Sequence, residues 1–178
     1  MSTSSKSRVQ EEIKRDLFSG DDKVVMAAIH RAKEEGTSAL VEPLIAVYAS
    51  SNNAVILGEI GDMLSSLKVS NTEESFIMAL ENPDYKAIRK DLLGFIWNSG
   101  IQPVNAVALL SEIAVEGSFE EALECLTIVE SLEEGVPEEQ ILEAGSLLRS
   151  FIGNHREDPK VHLLADLLVA IENRSELD

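Results

Sequence analysis

The chain has a single cysteine, Cys125, so it cannot close an internal disulfide, and nothing in it calls for an oxidising compartment. Aromatic residues are scarce, with one Trp, two Tyr and five Phe. Leu, Ile, Val and Ala must therefore build the core, which suits packed helices better than a β-sandwich. No apolar run approaches the roughly 20 residues of a membrane span. The N-terminus is Ser-rich and then amphipathic, without the apolar centre of a secretory signal. The expectation is a cytoplasmic protein without membrane segments.

Positive charge is missing over a long stretch: no Lys or Arg occurs between Lys90 and Arg149. The net charge of −17 is accordingly lopsided, with 14 acids and 11 bases in residues 1–90 but 18 acids and 4 bases in residues 91–178. Such a field repels phosphate backbones and anionic lipid, so nucleic-acid and membrane partners are disfavoured. A Lys/Arg-rich protein partner remains compatible with it. The sequence does not specify an oligomeric state.

Catalytic and ligand-binding patterns are absent too. His30, His155 and His162 are scattered and form no H-E-x-x-H pair on a helix. There is no G-x-S-x-G elbow, phosphate loop or dinucleotide fingerprint, and Ser146-Leu147-Leu148-Arg149 only approximates S-x-x-K. The acids from Glu112 to Glu143 flank helices without the dense loop spacing of a calcium site. No catalytic residue, cofactor or metal ligand is therefore assigned.

What the chain does contain is helical periodicity throughout. After a tail over residues 1–5, Val9, Ile13 and Leu17 mark a first helix that ends near Gly20. Asp21 or Asp22 caps a second that stops at Gly36, and Thr37 opens a third that begins or bends at Pro43. A fourth follows Ser50-Ser51-Asn52-Asn53, with Gly58 and Gly61 inside it; glycines there would serve a closely approaching neighbour. A fifth carries Phe76 and Leu80. Asn82-Pro83 then reads as N-cap and first position of a sixth, which runs through Ile88, Leu92 and Phe95 to Gly100. Four more follow: one through Val107 and Leu110 to Gly117, one from the capping-box match Ser118-x-x-Glu121, one after Gly135 and Pro137, and one opened by Asp158-Pro159. No segment alternates as a strand would, so an all-α fold of about ten helices is expected.

The helices repeat. Val25/Ile29, Ile56/Ile60, Ile88/Leu92 and Ala122/Leu126 superimpose at intervals of 31, 32 and 34 residues, with a half-repeat at Leu163/Leu167. Periods of this size belong to stacked helical units whose apolar faces only their neighbours can cover. Val41-Glu42-Pro43-Leu44-Ile45, the run Ser50 to Asp62 ending Leu57-Gly58-Glu59-Ile60-Gly61-Asp62, and Ala79-Leu80-Glu81-Asn82-Pro83-Asp84 with Ile88-Arg89 resemble the bacterial short HEAT pattern. The resemblance covers residues 20–98. It implies a right-handed α-α solenoid of the armadillo type, with about four to five helix pairs over residues 20–178. Residues 1–19 would form a tail and capping helix. It also implies a non-enzymatic scaffold or adaptor; HEAT-like folds that act as lyases or bind small ligands, or an accessory subunit of a larger complex, are the alternatives. Asp84 and Arg89 match the acid and arginine that form inter-repeat ladders in such arrays.

Two surfaces could bind a protein. Glu120, Glu124 and Glu134, then Glu139 and Glu143, lie away from the apolar stripes of their helices and form either a solvated face or a docking face for a basic segment. Trp97 lies off the core direction of its helix. It either packs against a neighbouring repeat or joins Leu93, among Lys86 and Lys90, as an exposed anchor.

Overall fold

The computed structural model describes residues 3–68 and 71–175, and among them it contains ten α-helices and no strand. The chain divides into two compact units, residues 1–88 and 89–178.

The first unit holds α1 (Thr3–Leu17), α2 (Asp22–Glu35), α3 (Val41–Ser50), α4 (Ala54–Ser65) and α5 (Glu73–Glu81). Helix α1 already includes Thr3, so the expected tail over residues 1–5 is shortened; Met1 and Ser2 lie outside the described residues. Asp21 caps α2 by accepting from the Lys23 N–H at 2.9 Å. The helix ends at Gly36, whose φ of 55° favours a residue without a Cβ. A 3₁₀ turn over Ser38–Leu40 precedes α3, so Pro43 falls in the first turn of that helix, where a missing N–H breaks no bond. Asn53 caps α4 through the Val55 and Ile56 N–H groups.

The junction at Pro83 differs from expectation. Asn82 does accept from the Asp84 N–H at 3.0 Å, but Pro83–Ile88 is a 3₁₀ segment, and α6 begins only at Arg89. The Asn82 side chain and the Tyr85 N–H to Asn82 carbonyl bond tighten this turn before α-helical hydrogen bonding is established.

The second unit holds α6 (Arg89–Ser99), α7 (Val107–Glu116), α8 (Phe119–Glu130), α9 (Glu138–Asn154) and α10 (Val161–Glu172). Asp158 and Pro159 do not start α10; Asp158 accepts from the Lys160 N–H at 2.8 Å, and the helix begins one residue later.

Within each unit, helices pack on the next but one, and α1–α2, α3–α4, α7–α8 and α9–α10 also pack as sequence neighbours. In the first unit α1 meets α2 and α3, α2 meets α4, and α3 meets α4 and α5. In the second α6 meets α8, α7 meets α8 and α9, and α10 covers α8 and α9. The aligned positions Val25, Ile29, Ile56, Ile60, Leu92, Ala122, Leu126, Leu163 and Leu167 are all buried, and only Ile88 is half-buried. Side-chain hydrogen bonds join positions one interval apart: Asn53 to Asp22 at 2.7 Å, Arg89 to Glu121 at 2.7 Å, the Ala108 N–H to Gln140 at 2.9 Å, and the Glu133 N–H to Gln102 at 2.7 Å.

Candidate functional site

The N-terminal end of α8 organises the second unit. The Ser118 hydroxyl accepts from the Glu121 N–H at 3.1 Å, and Glu121 Oε2 accepts from the Ser118 N–H at 2.7 Å, which completes the capping box expected from sequence. The other carboxylate oxygen, Oε1, accepts from Arg89 Nε at 2.7 Å. Arg89 is only 8% exposed, and its Nη2 is buried with no hydrogen-bond partner among the described residues. Burial pushes the Glu121 carboxyl up, but the bonds from Arg89 and Ser118 outweigh it and hold the group below its ordinary value.

Gly117 makes room for this pair. A Cβ there would lie 2.5 Å from Glu121 Oε2 and 2.6 Å from the Ile113 carbonyl. On the far side of the same corner, buried Lys160 extends its Nζ to the carbonyls of Ala114, Val115 and Gly117 at 3.0, 2.6 and 2.8 Å. These include orphan acceptors of the α7 C-terminus, where a cation also opposes the helix dipole.

Of the two residues expected in the ladder, Arg89 reaches an acid one interval further on, and Asp84 is not its partner. Asp84 is exposed, its N–H engaged by Asn82, whereas the arginine bonds a glutamate 32 residues further on. Sequence reasoning recorded Glu121 only as a helix cap. The 32-residue spacing from Arg89, equal to one of the repeat intervals, was the available signal. For Lys160 the sequence offers no comparable signal.

The outer surface is different in character. Glu120, Glu134, Glu139 and Glu143 are exposed, while Glu124 is half-buried. The Glu120 carboxyl is held below its ordinary value by its own backbone N–H and the Ser118 hydroxyl, with Lys90 adding to the effect. Trp97 is 45% exposed, with the rest of its surface covered. Leu93 is fully buried in the unit's core, so it cannot join Trp97 in a surface patch. Among the exposed apolar residues that the sequence pattern does not single out, Phe119 and Leu123 sit one turn apart on α8; Leu142 on α9 and Val169 on α10 are exposed as well. Cys125, expected in the core, is fully buried, and burial pushes its thiol well above the ordinary range.

The first unit has an open cleft of about 580 Å³ where the α1–α2 and α3–α4 turns meet. Leu17, Val25, Val47 and Ile56 in its lining are almost closed to solvent, whereas Phe18 is 59% exposed. Among the described residues, no three His, Cys, Asp or Glu side chains are gathered to hold a metal ion, and no helix is long and apolar enough to cross a membrane. Comparison with protein-family models, curated proteins and solved structures returned no match.

Proposed function

We propose that the chain is a non-enzymatic protein-binding module of HEAT-like helix pairs, and that its second unit docks a Lys/Arg-rich partner on the carboxylates of α8 and α9. The next-but-one packing within each unit, and the hydrogen bonds between positions one interval apart, support the solenoid reading.

The carrying observation is that four of the six Lys and Arg side chains of the second unit, all but Lys90 and Arg156, are engaged away from these carboxylates. Arg89 is bound to Glu121, Arg149 to Glu172, Arg174 to the Glu130 carbonyl and Lys160 to three carbonyls. The ion pairs of Arg89 and Arg149 engage Glu121 and Glu172, whereas Glu120, Glu139 and Glu143 are exposed, Glu124 is half-buried, and none of these four is in salt-bridge contact with a cation of the described residues. An array of this kind raises the local concentration of a basic partner and speeds encounter.

The test begins with a partner recovered by chemical crosslinking and mass spectrometry, then measured by surface plasmon resonance. The Debye length falls from about 30 Å at 0.01 M salt to about 8 Å at 0.15 M, so the association rate should drop over that range. Replacing Glu120, Glu124, Glu139 and Glu143 by Gln should reproduce the drop at low salt and leave the melting temperature nearly unchanged. An association rate indifferent to both salt and these substitutions would remove the docking role from α8 and α9.

A further inference from the structure

We propose that the segment docked by the second unit is a basic amphipathic helix lying along the outer faces of α6 and α8; this rests on the protein-docking reading above. On α8, Phe119, Leu123, Thr127 and Glu130 follow at i, i+4, i+8 and i+11, so they share one face. Phe119 is 48% and Leu123 46% exposed, although both sit beside a tightly packed core. Glu120 and Glu124 flank this stripe. On α6, Lys90, Gly94 and Trp97 share a face at i, i+4 and i+7. A Cβ at Gly94 would meet no atom within 4 Å, so the face dips between Lys90 and Trp97.

Helix α6 packs on α8, the Arg89–Glu121 bond pins their N-terminal ends together, and Lys90 of the α6 face lies near enough to Glu120 beside the α8 stripe to help hold its carboxyl down. From Phe119 to Glu130 the stripe runs about 17 Å, or three helical turns. Apolar anchors at helical spacing, a glycine dip and flanking carboxylates match the apolar stripe and cationic flanks of an amphipathic helix. Charge selects among possible occupants. A second copy docking through its own second half would bring a further 18 acids against 4 bases, and anionic lipid or nucleic acid would bring phosphates. A helix with Lys/Arg beside its apolar stripe satisfies both chemistries at once.

Trp97 is the only tryptophan in the chain, so its emission reports this face directly. The probe is a fluorescein-labelled, Trp-free 14-residue Leu/Lys peptide with helical periodicity (a length of about three to four turns), compared with a scrambled peptide of the same composition. Binding is followed by anisotropy, and Trp97 by emission shift and acrylamide quenching. The amphipathic peptide is expected to shift Trp97 emission to the blue and shield it. Phe119→Gln combined with Leu123→Gln should weaken binding at least about tenfold, as loss of buried leucine-sized contacts does. Both positions are exposed, so the variant should stay folded, and circular dichroism checks this. Equal binding of the scrambled peptide, an unaffected double variant, or binding that leaves Trp97 unchanged would each overturn the inference while leaving acid-driven docking intact. If no Lys-rich peptide binds even at low salt, the docking reading falls with it.

Discussion

Removing the Glu121 carboxylate should destabilise the second unit far more than removing any other glutamate of α8. Glu121→Ala deletes two bonds of 2.7 Å, one from the Arg89 guanidinium and one from the Ser118 N–H. It also strands a cation that is 8% exposed and whose Nη2 already lacks a partner. Breaking one side of a buried ion pair costs about 3–5 kcal/mol, and loss of a helix cap adds about 1 kcal/mol. Against a typical domain stability of about 5–15 kcal/mol, that is a large fraction. Arg89→Met combined with Glu121→Gln should cost only about 1 kcal/mol, because no charge is left buried and the glutamine oxygen can still accept from Ser118.

Urea unfolding followed by Trp97 fluorescence reads the second unit specifically. The pH dependence carries a sign. Glu121 is depressed in the folded state, so its contribution is complete above the ordinary glutamate value of 4.5 and is lost as pH falls through the folded value. The advantage of the native chain over Glu121→Gln should therefore be constant near neutrality and shrink below about pH 4.5. A Glu121→Ala cost under about 1 kcal/mol, or a double variant no more stable than the single one, would refute the buried-pair argument.

Three further outcomes are expected. Leu92→Ala, at a fully buried position, should cost about 2–5 kcal/mol in the same urea assay, and a change under about 0.5 kcal/mol would undercut the repeat alignment. Gly58→Ala should raise stability by about 0.5–1 kcal/mol in thermal melts, because a Cβ there enters open space within α4; a loss of stability would show that the glycine serves a close contact after all. Lys160→Met should cost about 1.5–3 kcal/mol by leaving the α7 carbonyls without their cation; a neutral result would mean that water replaces the ammonium freely.

The helices were legible in the sequence because their ends carry local chemistry. Asp21, Asn53 and Ser118 cap through their own side chains, and Gly36 takes the left-handed turn that stops α2. The same local chemistry misplaces a helix start where a tighter turn intervenes or a distant contact decides. Asn82-Pro83 has the composition of a helix start, yet the chain spends six residues in a 3₁₀ turn first. Asp158-Pro159 looks the same, yet it positions Lys160 for a contact more than 40 residues away. Leu93 and Trp97 show the limit of a single helical wheel. A helix touching several neighbours buries more than one stripe, and only the packing reveals which side stays open: Leu93 is enclosed and Trp97 is not. Glycine misleads similarly, since Gly58 suggested a close neighbour and none is within 4 Å of its Cβ position.

The Lys160 contacts have a kinetic consequence. Stacked repeats held only by nearest neighbours fray from the end, one unit at a time. Here the residue just before α10 is fastened to the end of α7, α10 itself is joined to α9 through Arg149 and Glu172, and the Val136 N–H bonds the Arg174 carbonyl just beyond it. Opening the last helix therefore breaks ties to three separate points in the chain, two of them preceding α9. Native-state hydrogen exchange should accordingly find the α10 amides opening together with those of α7 and α8, not earlier. The second half of the chain is thus expected to open as one closed cooperative unit.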